Sequence, residues 1–206
     1  MKLTLMEFTS LDGVTQGPGA PDEDTSDGFA GGGWLVPHLD EAFIETVLGW
    51  ASRADAFLFG HRTYANFARD WPANDDPDDP FAPIMNGLPK YVAARSPVAA
   101  SWEPTTVLAG EVAAEVAELK RQPGGELQIH GSATLAQSLF AAGLIDVLRL
   151  VVAPVVVGAG RRLFPPGGAS GGLRLAEHRI TPGGLALLTY EWTGRPAQGT
   201  YDRREV

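Results

Sequence analysis

The chain has no cysteine among its 206 residues. Disulfides, thiolate metal sites and cysteine nucleophiles are thereby excluded, and the composition suits a cytoplasmic protein. Cations are scarce as well: 16 Lys and Arg stand against 25 Asp and Glu, for a net charge of −9. That balance argues against nonspecific binding to nucleic acid or to an anionic membrane. No apolar run approaches membrane-spanning length. The N-terminal Met1-Lys2-Leu3-Thr4-Leu5-Met6-Glu7-Phe8 alternates like a strand and carries Glu7 early, unlike a signal peptide. The histidines, His38, His61, His130 and His178, show no metal-ligand spacing, so no metal is expected. The G-x-G-x-x-G, Walker and G-x-S-x-G motifs are all missing. What remains is ordinary for a globular chain, with 44% hydrophobic and 20% charged residues and a length that fits one domain over 1–206.

The pattern alternates strands with helices. After the first strand comes a Gly/Pro/acid loop from Ser10 to Pro37, holding "SLDG", "GPGAPDEDTSDG" and "GGGW". A loop this long inside a compact domain is usually functional or mobile. Leu39, Phe43, Val47, Leu48 and Ala51 recur at helical spacing behind Asp40 and Glu41. Strands are expected at 57–59, 90–94, 105–108 and 126–131, with helices from about Thr63 to Trp71, across Val112, Val116 and Leu119, and over 132–143. "NDDPDDP" (74–80) reads as an acidic surface loop. "DVLRLVVAPVVVG" (146–158) is the strongest strand signal, and 173–180 and 185–192 form a hairpin through "TPGG". Such alternation implies a largely parallel sheet covered on both faces, ending in an antiparallel hairpin.

Two places combine strand, glycine and helix start. In "FLFGHRTYANF" (57–67), Phe57-Leu58-Phe59 reads as a strand closed by Gly60, with Arg62 and Thr63 at the helix start. In "IHGSATL" (129–135), Gly131 closes a strand before a helix with Ser132 as N-cap. Backbone N–H groups converge at such starts, and glycine lets a phosphate come close. Each junction alone is also what a tight strand-to-helix turn looks like. Two in one parallel sheet suit a ligand with separated anionic groups, such as a dinucleotide.

Taken in order, "TSLDG", "FGHRTY", "IHGSATL" and "GLIDVLRLVVAPVVVGAGRRLF" resemble the dihydrofolate reductase-like superfamily over about residues 3 to 192. The match is closest to the reductase domain of the bifunctional riboflavin-biosynthesis deaminase-reductase. The resemblance implies an α/β three-layer fold, a mixed, mostly parallel sheet flanked by helices, an NADPH cofactor and a homodimer. Carried over residue by residue, it assigns Gly60, His61, Arg62 and Thr63 to the phosphate end of NADPH, and Arg95 and Ser96 to the adenosine side. Gly131, Ser132, Ala133, Thr134 and Leu135 would lie against the pyrophosphate. The loop 14–34 resembles one that closes over the nicotinamide, touched by Val14, Thr15 and Gln16. Trp34, Phe67 and Trp71 are candidates for apolar walls around the substrate, and Asp12 is the best-placed catalytic carboxylate. Two departures stand out: arginine is usual where His61 stands, and the helix carboxylate that binds pterin would fall near Ile44, between Glu41 and Glu45. The cysteine zinc site of the deaminase half has no counterpart in these residues. The expected activity is hydride transfer from NADPH to a small heterocyclic or carbonyl/imine substrate. The rival is a non-catalytic nucleotide-binding or dimeric interaction protein of the same fold. The "VLRLVVAPVVVG" run, more apolar than one sheet face needs, is the expected dimer surface.

Overall fold

A computed structural model describes residues 1–200; the last six residues of the expected 1–206 domain lie outside the described residues. Eight strands form one sheet: β1 (Lys2–Ser10), β2 (Ala54–Gly60), β3 (Lys90–Ala93), β4 (Thr105–Leu108), β5 (Glu126–His130), β6 (Val147–Ala153), β7 (Gly172–Ile180) and β8 (Ala186–Gly194). Their order is β4-β3-β2-β5-β1-β6-β8-β7. The pairings from β4 across to β6 are parallel, and β6-β8 and β8-β7 are antiparallel. The expected mixed, mostly parallel dihydrofolate reductase-like sheet with its C-terminal hairpin is therefore present.

The strand period of two divides the side chains between two cores. Leu3, Leu5, Leu58, Leu127, Ile129 and Leu148 face helices α4 (Val112–Arg121) and α5 (Ala133–Ala141). The opposite face divides in two. Met6 and Val151 pack with Phe43, Val47 and Trp50 of α1 (Glu41–Ala51), while Phe57, Phe59 and Val92 pack with Tyr64 of α2 (His61–Asp70) and Met85 of α3 (Ala82–Gly87). Asp40 starts α1 by accepting the Phe43 amide at 2.8 Å. None of the helices among the described residues is long and apolar enough to cross a membrane.

Several boundaries differ from the sequence expectations. β2 begins at Ala54 rather than Phe57, and α2 starts at His61, directly after Gly60. The short α3, with Pro83 in its first turn, was not expected. The 146–158 run is a strand only to Ala153; Pro154 ends it, and Val155 and Val157 continue into a loop packed against the Phe29–Trp34 cluster. β6 lies between β1 and β8 with both edges paired, so its apolarity serves burial inside the subunit, while Val156 in the loop beyond it is exposed. The exposed strand is β7, with Leu173, Leu175 and Ile180 open to solvent.

Candidate active site

Parallel strands bring all their carboxyl ends to one edge, where ligands of open α/β sheets bind. β2 and β5 are neighbours, so the two glycine junctions meet there. Gly131 and Ser132 both adopt left-handed backbone, with φ of 57° and 61°. This turn corrects the expected N-cap: Ser132 makes no side-chain cap bond to α5. Its hydroxyl instead accepts the Gly60 amide at 2.9 Å, fastening one junction to the other. A Cβ built on Gly131 would come within 3.6 Å of Thr63, so the missing side chain keeps open a space between the starts of α2 and α5. Leu135 is buried under this turn, while Ala133 is half-buried and Thr134 exposed.

The cationic rim follows from β2 pairing with β3, which sets Gly60 beside Ala93. His61 and Ser96 touch across the two strand ends at 3.5 Å. Arg62 and Arg95 are both exposed, and neither forms an ion pair among the described residues. In a chain of net charge −9, two uncommitted arginines flanking two helix starts make a local site for phosphate.

The long loop after β1 is held down at many points. Val14, Thr15 and Gln16 are buried and their polar groups are taken by protein. Val14 exchanges bonds with Ser10, the Thr15 amide reaches the Arg161 carbonyl at 2.8 Å, and the Gln16 amide side chain bridges Asp24, Ser26 and Arg161. Arg161 pairs with Asp24 and Asp27. These three residues brace the loop and do not offer free groups to a nicotinamide. Trp34 is core, its indole donating to the Gln16 carbonyl at 2.9 Å. Phe67 and Trp71 stack edge-on at 6.3 Å on α2, with Trp71 at the end remote from Gly60. Trp34 and Trp71 therefore do not wall the cleft.

Asp12 has a different task from the expected one. Its carboxylate accepts from the Ser10 hydroxyl and from the amides of Val157 and Gly158, at 2.7, 3.0 and 2.9 Å, and pairs with Arg162 at 3.2 Å. The Ser10 hydroxyl first, and the backbone amides with it, hold Asp12 far below the usual carboxylate range. A group so fully engaged clamps the 155–162 loop to the end of β1 and has no proton to give. His130 is buried and kept neutral, pushed down to about 3 by burial and then by Arg149. It rests edge-on against Phe57 at 5.0 Å and bonds Gln128, which makes it a packed residue. Ile44 is exposed, and Glu45 reaches Arg179 at 2.8 Å, so α1 supplies no buried carboxylate.

The carboxyl that sequence reasoning passed over is Glu7. It is 4% exposed near the carboxyl end of β1, and burial pushes it up to about 8. The signal was available: in the alternating row Leu3, Leu5, Glu7, an acid takes an inward position.

The profile of the family described as the RibD C-terminal domain matches residues 1–187. The uncharacterized protein YyaP of Bacillus subtilis (strain 168) is 27% identical over 177 residues, covering 82% of this chain and 92% of that protein. A crystal structure from Shewanella sp. PV-4 named for riboflavin biosynthesis superposes with a TM-score of 0.65 at 21% identity, covering 94% of this chain and 99% of that one. Dihydrofolate reductase from Enterococcus faecalis, complexed with NADP(H) and RAB-propyl, does so at 0.58 and 12% identity, covering 93% and 96%.

Proposed function

The chain belongs to the RibD C-terminal domain family, and on that premise we propose that it is an NADPH-dependent reductase acting on a small heterocyclic, carbonyl or imine substrate. The observation that carries this reading is the fused pair of glycine junctions at the ends of β2 and β5, with Arg62 and Arg95 uncommitted beside it. The residues fit a dinucleotide. Gly131 leaves the space a Cβ would fill, the amides starting α2 and α5 face the same edge, and the arginines supply charge. Arg62, Thr63 and the 131–135 turn would hold the phosphates, and Arg95 with Ser96 the adenosine end. NADPH, when bound, supplies the hydride. The chain orients it and keeps water out beneath a long loop pinned by Gln16 and Arg161. The same reading takes the protein as a cytoplasmic homodimer, now through the exposed apolar residues of β7.

Cofactor choice tests it. The 2′-phosphate that distinguishes NADPH from NADH needs a cation in this acidic chain. One charge-assisted bond contributes roughly 1.5–3 kcal/mol, or about ten- to a hundredfold in affinity. Arg62→Ala and Arg95→Ala should weaken NADPH binding by that order in a fluorescence titration and alter NADH binding much less. Equal affinity of the wild type for both cofactors, or equal loss of both in the variants, would refute the assignment.

A further inference from the structure

Four buried side-chain atoms lack any hydrogen-bond partner among the described residues: Thr4 Oγ1, Thr189 Oγ1, Arg149 Nε and Glu7 Oε2. The first three lie on side chains in the body of the sheet, away from its carboxyl edge. Thr189 and Arg149 are directly paired across β8 and β6. Glu7 is different, because β1 outruns its neighbour. The last β1–β5 pair is Met6 with His130, and the Gly131 amide closes the ladder on the Met6 carbonyl at 3.0 Å. In a strand, alternate residues turn their backbone groups to the same side. The Phe8 N–H therefore points to the side that β5 has left at Gly131. Glu7 Oε1 occupies that gap, 3.3 Å from the Phe8 amide. The carboxyl thus sits where β1 and the Gly131–Ser132 turn diverge, one strand further along the edge than the phosphate site.

The long loop lies near it. The Glu23 carbonyl is held by Asn66 of α2 at 3.3 Å, and the Glu23 carboxylate is close enough for its charge to act on Glu7. Burial first, then Glu23, keep the proton on Glu7 against the one opposing effect, the Phe8 amide. Of the arginines near this loop, Arg161 is committed to Asp24 and Asp27 and Arg162 to Asp12, Arg62 acts on Asp24, and none of them acts on Glu7. A protonated carboxyl has an O–H to donate. Nothing among the described residues accepts it.

We propose that Glu7 is the acid of this site: its carboxyl group donates the proton that accompanies hydride transfer to a C=N or C=O acceptor in the cleft between β1 and the Gly131 turn. This rests on the reductase reading above. The Glu7 O–H bond breaks and an N–H or O–H bond forms on the acceptor, using the former π pair as the acceptor carbon takes the hydride of NADPH. The carboxylate left behind recovers its proton from water. An acceptor nitrogen or oxygen would also give the orphaned Oε2 the partner it lacks. Asp12 and Glu7, five residues apart, are thereby divided in role by their surroundings, one locked as an anion and one kept as an acid.

Carboxyl titration by NMR with 13C-labelled glutamate tests this without a known substrate, in wild type and in Glu7→Gln. The expected wild-type signal has its midpoint near pH 8 and is absent from the variant. Saturating NADP+, whose nicotinamide is cationic, should lower that midpoint by about one unit or more, and NADPH should not. The two ligands share their phosphates, so the difference isolates the ring. With whichever of a panel of pterins, pyrimidines and small carbonyls oxidises NADPH, wild-type turnover should fall above the midpoint. Glu7→Gln should lose that limb and run about a hundredfold slower or more, with NADPH affinity unchanged. If both dinucleotides bind and the midpoint stays in place, or if Glu7→Gln keeps wild-type turnover, Glu7 is not the acid and the reductase reading stands. If neither dinucleotide binds, the reductase reading falls and this proposal with it. The midpoint shift decides the matter even where no panel compound is turned over.

Discussion

Replacing Glu7 by glutamine should stabilise the protein at alkaline pH and do little at acid pH. The folded carboxyl holds its proton to about pH 8, whereas the unfolded one releases it at the ordinary glutamate value of 4.5. Below 4.5 both states are protonated and stability is complete. Above it the unfolded chain ionises while the folded chain cannot, so stability falls by about 1.4 kcal/mol per pH unit until pH passes the folded value. Between about pH 5 and pH 8 the loss amounts to roughly 3–4 kcal/mol. Glutamine keeps the side-chain carbonyl that accepts the Phe8 amide, and it does not titrate. His130 works in the opposite direction, its contribution being lost as pH falls from 6.5 toward about 3. It is present in both proteins, so it cancels in the difference. Urea unfolding of both at several pH values should therefore show the variant gaining roughly 3–4 kcal/mol on the wild type across this range. In melting temperature that is roughly 7–14 °C for a chain of this size. A gap that stays constant from pH 5 to pH 8 would mean that Glu7 ionises normally, and the argument from its burial would fail.

Gly131→Ala places a side chain at φ 57° and should cost about 1–2 kcal/mol in urea unfolding, while lowering NADPH affinity in a fluorescence titration by more than that loss explains. Ser132→Ala removes the acceptor of the Gly60 amide and should destabilise by roughly 1–3 kcal/mol, read by thermal unfolding. Asp12→Ala should release the Val157 and Gly158 amides, seen as faster hydrogen exchange at those two positions with the core strands unchanged. Light scattering across micromolar concentrations should give a dimer that Leu175→Glu on β7 converts to monomer; a dimer insensitive to that change would place the interface elsewhere.

The sheet was legible because its signals are local. Leu3, Leu5, Phe57 to Phe59 and Ile129 alternate or run continuously, and Gly60 and Gly131 end their strands in plain view. The failures share one cause, which is that the deciding partner lies far along the chain. Asp12 followed by Gly13 reads as a turn pair, yet its partners Val157 and Gly158 stand about 145 residues away. Ser132 before a helix reads as an N-cap until the turn through Gly131 rotates its hydroxyl toward Gly60. Trp34 reads equally as wall or core, and only Gln16 and the cluster around Phe29 decide. The row Leu3, Leu5, Glu7 marks an acid at an inward position, but that it stands where β5 has ended opposite Met6 is something no periodicity in β1 reveals.

The strand order also sets a timetable for the ribosome. β1 is translated first, yet both its neighbours, β5 and β6, are among the later strands, and its pairing with β6 needs residues up to Ala153. At about 5–20 residues per second, Leu3, Leu5 and Met6 wait on the order of ten seconds for partners. β2, β3 and β4 follow one another and pair in sequence meanwhile. The nascent chain therefore exposes an apolar N-terminal strand beside a half-built sheet until β5 arrives to join them. The strand that carries Glu7 and leads into Asp12 is the first made and among the last secured.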